Sequence, residues 1–244
     1  MNCSLCGNKR ELRKSHIIPE WVYKDLYDVN HRFHRLTSTK KKVKPFEQKG
    51  LREKLLCDDC EQRFSRYENY ARGVIKGGKT ISVQKYQDKI KITGIDYSLF
   101  KLFQLSILWR ASIARNEIFS NVDLGPHENI IKTMLIEEKA GEPIQYGCLM
   151  FGIIDNKDVV TDFIDQPDAL RIDGMRCYRF VFSGFVWVYF VASHPPNTNA
   201  QRFMLSEDGD ITIYIRRFQD LEYLKCFANN INNKVEKIGP SKSN

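Results

Sequence analysis

The stretch CDDCEQRFSRYENYARGVIKGG, residues 57–78, decides how the N-terminal third of this chain is read. Phe64, Tyr67, Ala71 and Val74 recur at intervals of three, four and three. That period places them on one face of an α-helix, which Gly77 and Gly78 close. Asp58 and Asp59 suit the first turn, because carboxylates complement the partial positive charge of a helix N-terminus. Cys57 and Cys60 therefore stand where a helix begins, spaced so that both sulfurs can reach one ion.

Working outward, the matching pair is Cys3 and Cys6 in MNCSLC, on a short turn that forms a knuckle. Two such pairs supply four thiolates, the tetrahedral set that structural Zn²⁺ prefers. A closed four-cysteine site has no open coordination position, so this zinc is expected to hold the fold and do no chemistry. Knuckle plus helix start predicts a treble-clef zinc module over residues 1–77. The remaining cysteines of the seven, Cys148, Cys177 and Cys226, lie in apolar stretches and read as small hydrophobes. An odd count argues against a disulfide framework.

Between the two pairs lies RKSHIIPEW, residues 13–21. Unperturbed histidine titrates near neutral pH, so a lone histidine here raises the question of whether it carries chemistry. His16 also has a structural reading, as a residue that bonds a backbone carbonyl. PEWVYKDLYD reads as a short helix opened by Pro19, with Trp21, Val22 and Leu26 facing inward. The polar loop after it carries His31, Arg32, His34 and Arg35, then Lys40, Lys41, Lys42 and Lys44. With Lys14 and Arg52 these cations are the expected nucleic-acid contacts, gripping phosphates without reading sequence.

Cys-x-x-Cys, a histidine in an HxxP setting, then LLCDDCE entering a helix, resembles the Cys-flanked HNH endonucleases of the His-Me finger group. The resemblance covers residues 3 to 76. It implies a ββα element braced by the four cysteines, with His16 as general base at the end of the first strand. It also implies a catalytic divalent cation, Mg²⁺ or Mn²⁺, held by the residue before that histidine and by Glu61 on the helix. Departures are plain: Ser15 stands where the family has Asp or His, Glu61 where it has His or Asn. The family's Asn before the second cysteine pair is missing, with Gln48 and Arg52 in its neighbourhood. Asp25, His31, His34, Asp58 and Glu68 are the further candidates to complete a metal site. Glu61 also has a plain structural reading, as a carboxylate favoured in a first helical turn.

The expected activity is hydrolysis of nucleic-acid phosphodiesters, of DNA in the first instance, with bacterial antiviral defence the role suggested by analogy. The alternatives are a non-catalytic zinc-stabilised nucleic-acid-binding module and a protein adaptor. Charge agrees with a polyanion partner: the net +8 comes from 22 Lys+Arg against 11 Asp+Glu through Gly94, and 16 against 19 thereafter. No apolar run approaches the ~20 residues that span a bilayer, and the first ten residues lack a secretory h-region. A soluble cytoplasmic protein with no membrane partner is expected.

Beyond Gly77 the pattern predicts an α+β domain over residues 78–233. TISVQKYQDKIKITG alternates about a Gln-Asp turn and predicts a hairpin. DYSLFKLFQLSILWRASIARNEIF is apolar on most faces and predicts a buried helix, and GPHENIIKTMLIEEK a second. YGCLMFGII, VVTDFI, MRCYRFVFSG, FVWVYFVAS, RFMLS and DITIYIRR predict strands of an antiparallel sheet, with turns at Asp155-Asn156 and Asp173-Gly174. LEYLKCFANNI predicts a closing helix, and 234–244 a disordered tail. A homodimer or protein partner would use this second domain, in which no residues form a recognisable catalytic set.

Overall fold

The computed structural model describes residues 1–34, 46–47, 50–194, 196 and 198–222. Strand β1 (Arg13–His16) leads into the short helix α1 (Glu20–Tyr23), and β2 (Phe33–His34) pairs with β3 (Phe46–Glu47). Strand β4 (Arg52–Leu56) returns antiparallel to β1, with Lys14 opposite Lys54, Ser15 opposite Glu53 and His16 opposite Arg52. Helix α2 (Asp58–Lys76) follows at once. It buries Cys60, Phe64, Tyr67, Ala71 and Val74, the face that the spacing predicted.

Helix α1 is shorter than its sequence suggested. The Asp28 carboxylate accepts backbone N–H bonds from Asn30 (2.9 Å) and Arg32 (2.8 Å). Such local side-chain acceptors stabilise turns in competition with helix.

The second half opens with the predicted hairpin, β5 (Ser82–Lys85) and β6 (Lys89–Thr93). Helix α3 (Tyr97–Ile113) is capped by Asp96, whose carboxylate accepts from Leu99 N at 2.9 Å. Twelve of its residues are buried, on every face, so it runs through the middle of the protein. It stops six residues short of the predicted end. There the Glu53 carboxylate accepts the backbone N–H groups of Arg115 (3.0 Å) and Asn116 (2.8 Å). Asn116 in turn caps a separate 3₁₀ turn at Glu117–Phe119.

Helix α4 (His127–Glu137) precedes the strands β7 (Cys148–Asp155), β8 (Asp158–Val159), β9 (Asp165–Ile172), β10 (Met175–Phe182) and β11 (Phe185–Phe190). A short α5 (Thr198–Gln201) and strand β12 (Ile211–Arg217) complete the described chain. The main sheet runs β5-β6-β12-β7-β11-β10-β9, with β8 paired to β7. Its pairings are antiparallel except for β12 beside β7, which is parallel. Asn156 and Asp173 take positive φ at the predicted turns. The closing helix, apart from Leu221 and Glu222, lies outside the described residues, as do the tail and Cys226.

The core is continuous from the cysteines to the sheet. Trp109 on α3 meets Phe64 of α2 edge-on, with ring centroids 6.3 Å apart. Phe103 touches both Trp21 (6.4 Å) and Trp187 of β11 (6.1 Å), and Trp187 stacks on Phe182 at 4.8 Å. Each such ring contributes roughly 1.5–3 kcal/mol by leaving water. No helix among the described residues is long and apolar enough to cross a membrane.

Candidate metal centre and His16 site

Cys3, Cys6, Cys57 and Cys60 converge, with all four sulfurs within 4.8 Å of one another. The knuckle is tied by Cys3 N donating to Asn8 O and Gly7 N to Cys3 O, both 2.9 Å. Gly7 closes it at φ 76°, where a side chain would be strained. Cys57 N donates to the Cys3 sulfur at 3.3 Å, and Ser4 N to Leu55 O at 2.9 Å, so the two pairs are locked together.

The cluster fits a metal ion such as zinc. A tetrahedron with Zn–S bonds of about 2.3 Å has edges of about 3.8 Å, and the Cys6 and Cys57 sulfurs stand 3.8 Å apart. The electrostatics agree. Burial raises the Cys60 thiol, and its sulfur neighbours raise it further. Burial also acts on Cys3, but hydrogen bonds from the backbone of Cys57, Cys6 and Leu5 outweigh it and bring that thiol to about 7. Four thiolates so close need a central cation to offset their repulsion.

The β1–β4 ribbon has two unlike faces, because neighbouring side chains on a strand point opposite ways. Ser15, fully buried, faces α2: its hydroxyl donates to Glu61 and accepts from Leu56 N at 3.2 Å. Burial raises the Glu61 carboxyl; the Ser15 hydrogen bond and the nearby Arg110 charge act against this, while Glu68 adds to it. Glu53, opposite Ser15, reaches the end of α3. His16 and its cross-strand partner Arg52 lie on the other face with the exposed Lys14 and Lys54. The His16 ring, one-fifth exposed, pairs through Nε2 with the Glu20 carboxylate one turn later. The Tyr23 ring lies 6.3 Å from it. Gly50, at φ 54°, passes close beside both: a Cβ there would stand 2.8 Å from the Tyr23 ring and 3.2 Å from His16 Cδ2.

Beneath the ribbon sits Arg110, 1% exposed. Its Nη1 donates to the His16 carbonyl at 2.6 Å and pairs with Glu68 at 2.6 Å. Its Nε donates to Ser106 O at 3.1 Å, and the guanidinium lies 5.3 Å over the Phe64 ring.

The other candidate ligands are engaged elsewhere. Asp25 pairs with Lys76, Asp58 with Arg13 at 2.9 Å, and His31 stacks on Tyr27 at 4.1 Å. Among the described residues the cysteines are the sole grouping of three or more His, Cys, Asp or Glu with metal-ligand spacing. Of the expected phosphate contacts, Lys14 and Arg52 flank His16, whereas Arg32 pairs with Asp28 at 2.9 Å. Arg35, Lys40, Lys41, Lys42, Lys44 and Gln48 lie outside the described residues, as does the side chain of His34.

Sequence reasoning missed Glu20, Lys54 and Arg110. Glu20 sits four residues after His16, within reach once Pro19 starts a helix. Lys54 needed the strand register. Arg110 had a signal: a cation in a helix apolar on nearly every side. Comparison with known proteins finds no matching family model, no matching curated protein and no matching solved structure.

Proposed function

We propose that the zinc-braced N-terminal element is a treble-clef module of HNH type that hydrolyses phosphodiesters of nucleic acid, DNA in the first instance. The observation that carries this reading is the pairing of the two ribbon faces. His16 ends β1 among Lys14, Lys54 and Arg52, while Ser15 meets Glu61 on the first turn of α2. In that reading the three cations hold the phosphate backbone, giving affinity without sequence choice. Glu20, paired with Nε2, orients the imidazole. His16 then takes the proton from the attacking water.

The resemblance also implies Mg²⁺ or Mn²⁺ at Glu61. The oxygen donors beside Glu61 do not fit such an ion as they stand: Ser15 offers a neutral hydroxyl already donated to Glu61, and Glu68 is paired with Arg110. The test is plasmid nicking by purified protein with Mg²⁺ or Mn²⁺, beside His16→Ala. Nicking abolished in the variant supports hydrolysis.

A second reading is favoured by that same Ser15–Glu61 bond: a zinc-stabilised module that binds nucleic acid without cutting it. It requires salt-dependent DNA binding with intact plasmid under every metal. A protein adaptor requires no such binding.

A further inference from the structure

We propose that Arg110 is the positioning residue of the His16 site, which makes α3 a working part of the cleaving element. This rests on the nuclease reading above.

An arginine only 1% exposed costs several kcal/mol unless its donors are satisfied. A methionine or leucine would fill the same space in so apolar a helix. Arg110 instead spends its donors in two directions. Nε and Nη2 return to Ser106, at 3.1 Å to its carbonyl and 3.3 Å to its hydroxyl, which fixes the guanidinium plane on its own helix. Nη1 reaches out, to the His16 carbonyl and to Glu68 of α2, each at 2.6 Å.

His16 is the last residue of β1, and the N–H of the peptide that follows it, on Ile17, donates to Leu51 O at 3.2 Å while its carbonyl faces away from that strand partner. A charged donor on the His16 carbonyl adds a second restraint to that peptide, at the residue whose side chain must be aimed. The link is reciprocal. From the next register pair on the same ribbon, Glu53 accepts the N–H groups of Arg115 and Asn116 just past the end of α3. Ribbon and helix thus grip each other at two points, one charge of each sign. Sliding or rolling of the ribbon over α3 breaks both. A displacement of about 1 Å at a catalytic group can cost roughly a hundredfold in rate. The Glu68 contact also orients α2, which carries Glu61 two turns earlier on the same helix.

The experiment uses full-length, zinc-loaded protein with Arg110→Met and Arg110→Lys. Zinc content, melting temperature, DNA affinity and cleavage kinetics are measured on each. In parallel the imidazole resonances are recorded by NMR, with His16 assigned by its loss in His16→Ala. The expected result for Arg110→Met is one zinc per chain, unchanged DNA affinity and KM, and kcat lower by about a hundredfold. The His16 resonance moves, and Arg110→Lys recovers part of both. Wild-type kcat in Arg110→Met overturns the proposal. So does a fall in kcat that only tracks lost zinc and folded protein while the His16 resonance stays put. If the wild-type chain cuts nothing with any metal, the nuclease reading fails. The resonance then decides alone: moved, Arg110 still positions His16; unmoved, it does not.

Discussion

The cysteine end and the sheet hold their shapes by different means. At the cysteine end, buried side chains such as Leu5, Leu12, Leu55 and Leu56 share the core with a four-sulfur cluster that can hold a metal ion. Between α3 and the sheet, Phe100 and Phe103 of the helix pack with Phe182, Trp187 and Tyr189 of the strands in one aromatic core. The first arrangement concentrates its stability in one point; the second spreads it over many rings. The difference matters for function, because the candidate site sits where the two meet.

Metal removal separates them most strongly. Structural zinc sites contribute roughly 10 kcal/mol or more, so a chelator at neutral pH should unravel the knuckle and the start of α2. Hydrogen exchange is expected to show lost protection at residues 3–16 and 52–62, with strands β10 and β11 still protected. Cys57→Ser should do the same without chelator. Equal loss of protection in β10 and β11 would show that the sheet depends on the metal too.

Next comes the ring at the junction. Trp109→Ala removes a fully buried indole that joins α3 to Phe64. It should cost about 3–5 kcal/mol in urea unfolding, and it should weaken both halves together because their core is continuous.

A smaller effect depends on pH. Lys101 is buried, donating to Pro143 O (3.1 Å) and Tyr146 O (3.0 Å). Burial holds its amine at about 7 against 10.5 in water, with Cys148 pulling the other way. Between those values the unfolded chain binds the extra proton, so the cost of this group is greatest below about pH 7 and falls as pH rises. Across that window stability should rise with pH by a few kcal/mol. Lys101→Met should flatten the rise, read as urea midpoints from pH 6.5 to 9.5 beside wild type. A slope that persists unchanged in the variant would place its source elsewhere.

The smallest effect is at the surface. Arg10 and Asp59 pair at 2.5 Å across the knuckle, but both are more than half exposed. Asp59→Ala should cost about 1 kcal/mol or less and less again in high salt.

What was legible in the sequence follows from the range of the forces involved. Cysteine spacing and the Phe64–Val74 stripe are local patterns, so the cysteine cluster and α2 were readable. Most strands and their turns were readable for the same reason, through alternation and the residues at Asp155-Asn156 and Asp173-Gly174. But RFMLS forms no strand, VVTDFI is strand only at Val159, and β9, whose DQPDALRI mixes a proline and charges, was missed. The end of α3 was not, because it is set by Glu53, sixty residues earlier. The parallel seam between β7 and β12 was hidden likewise, since pairing between distant strands leaves no local mark. At the candidate site, His16 and Glu61 stood out by their motifs. Arg110 and Lys54 became visible only with the register of the ribbon and the placement of α3.

Strand β12 has one further consequence. It is what joins the β5–β6 hairpin to the remaining strands, lying between β6 and β7. A ribosome makes the hairpin early and this connecting strand more than a hundred residues later. During synthesis the hairpin's inner edge waits without its neighbour, and a chain halted before Ile211 carries two unjoined sheet fragments.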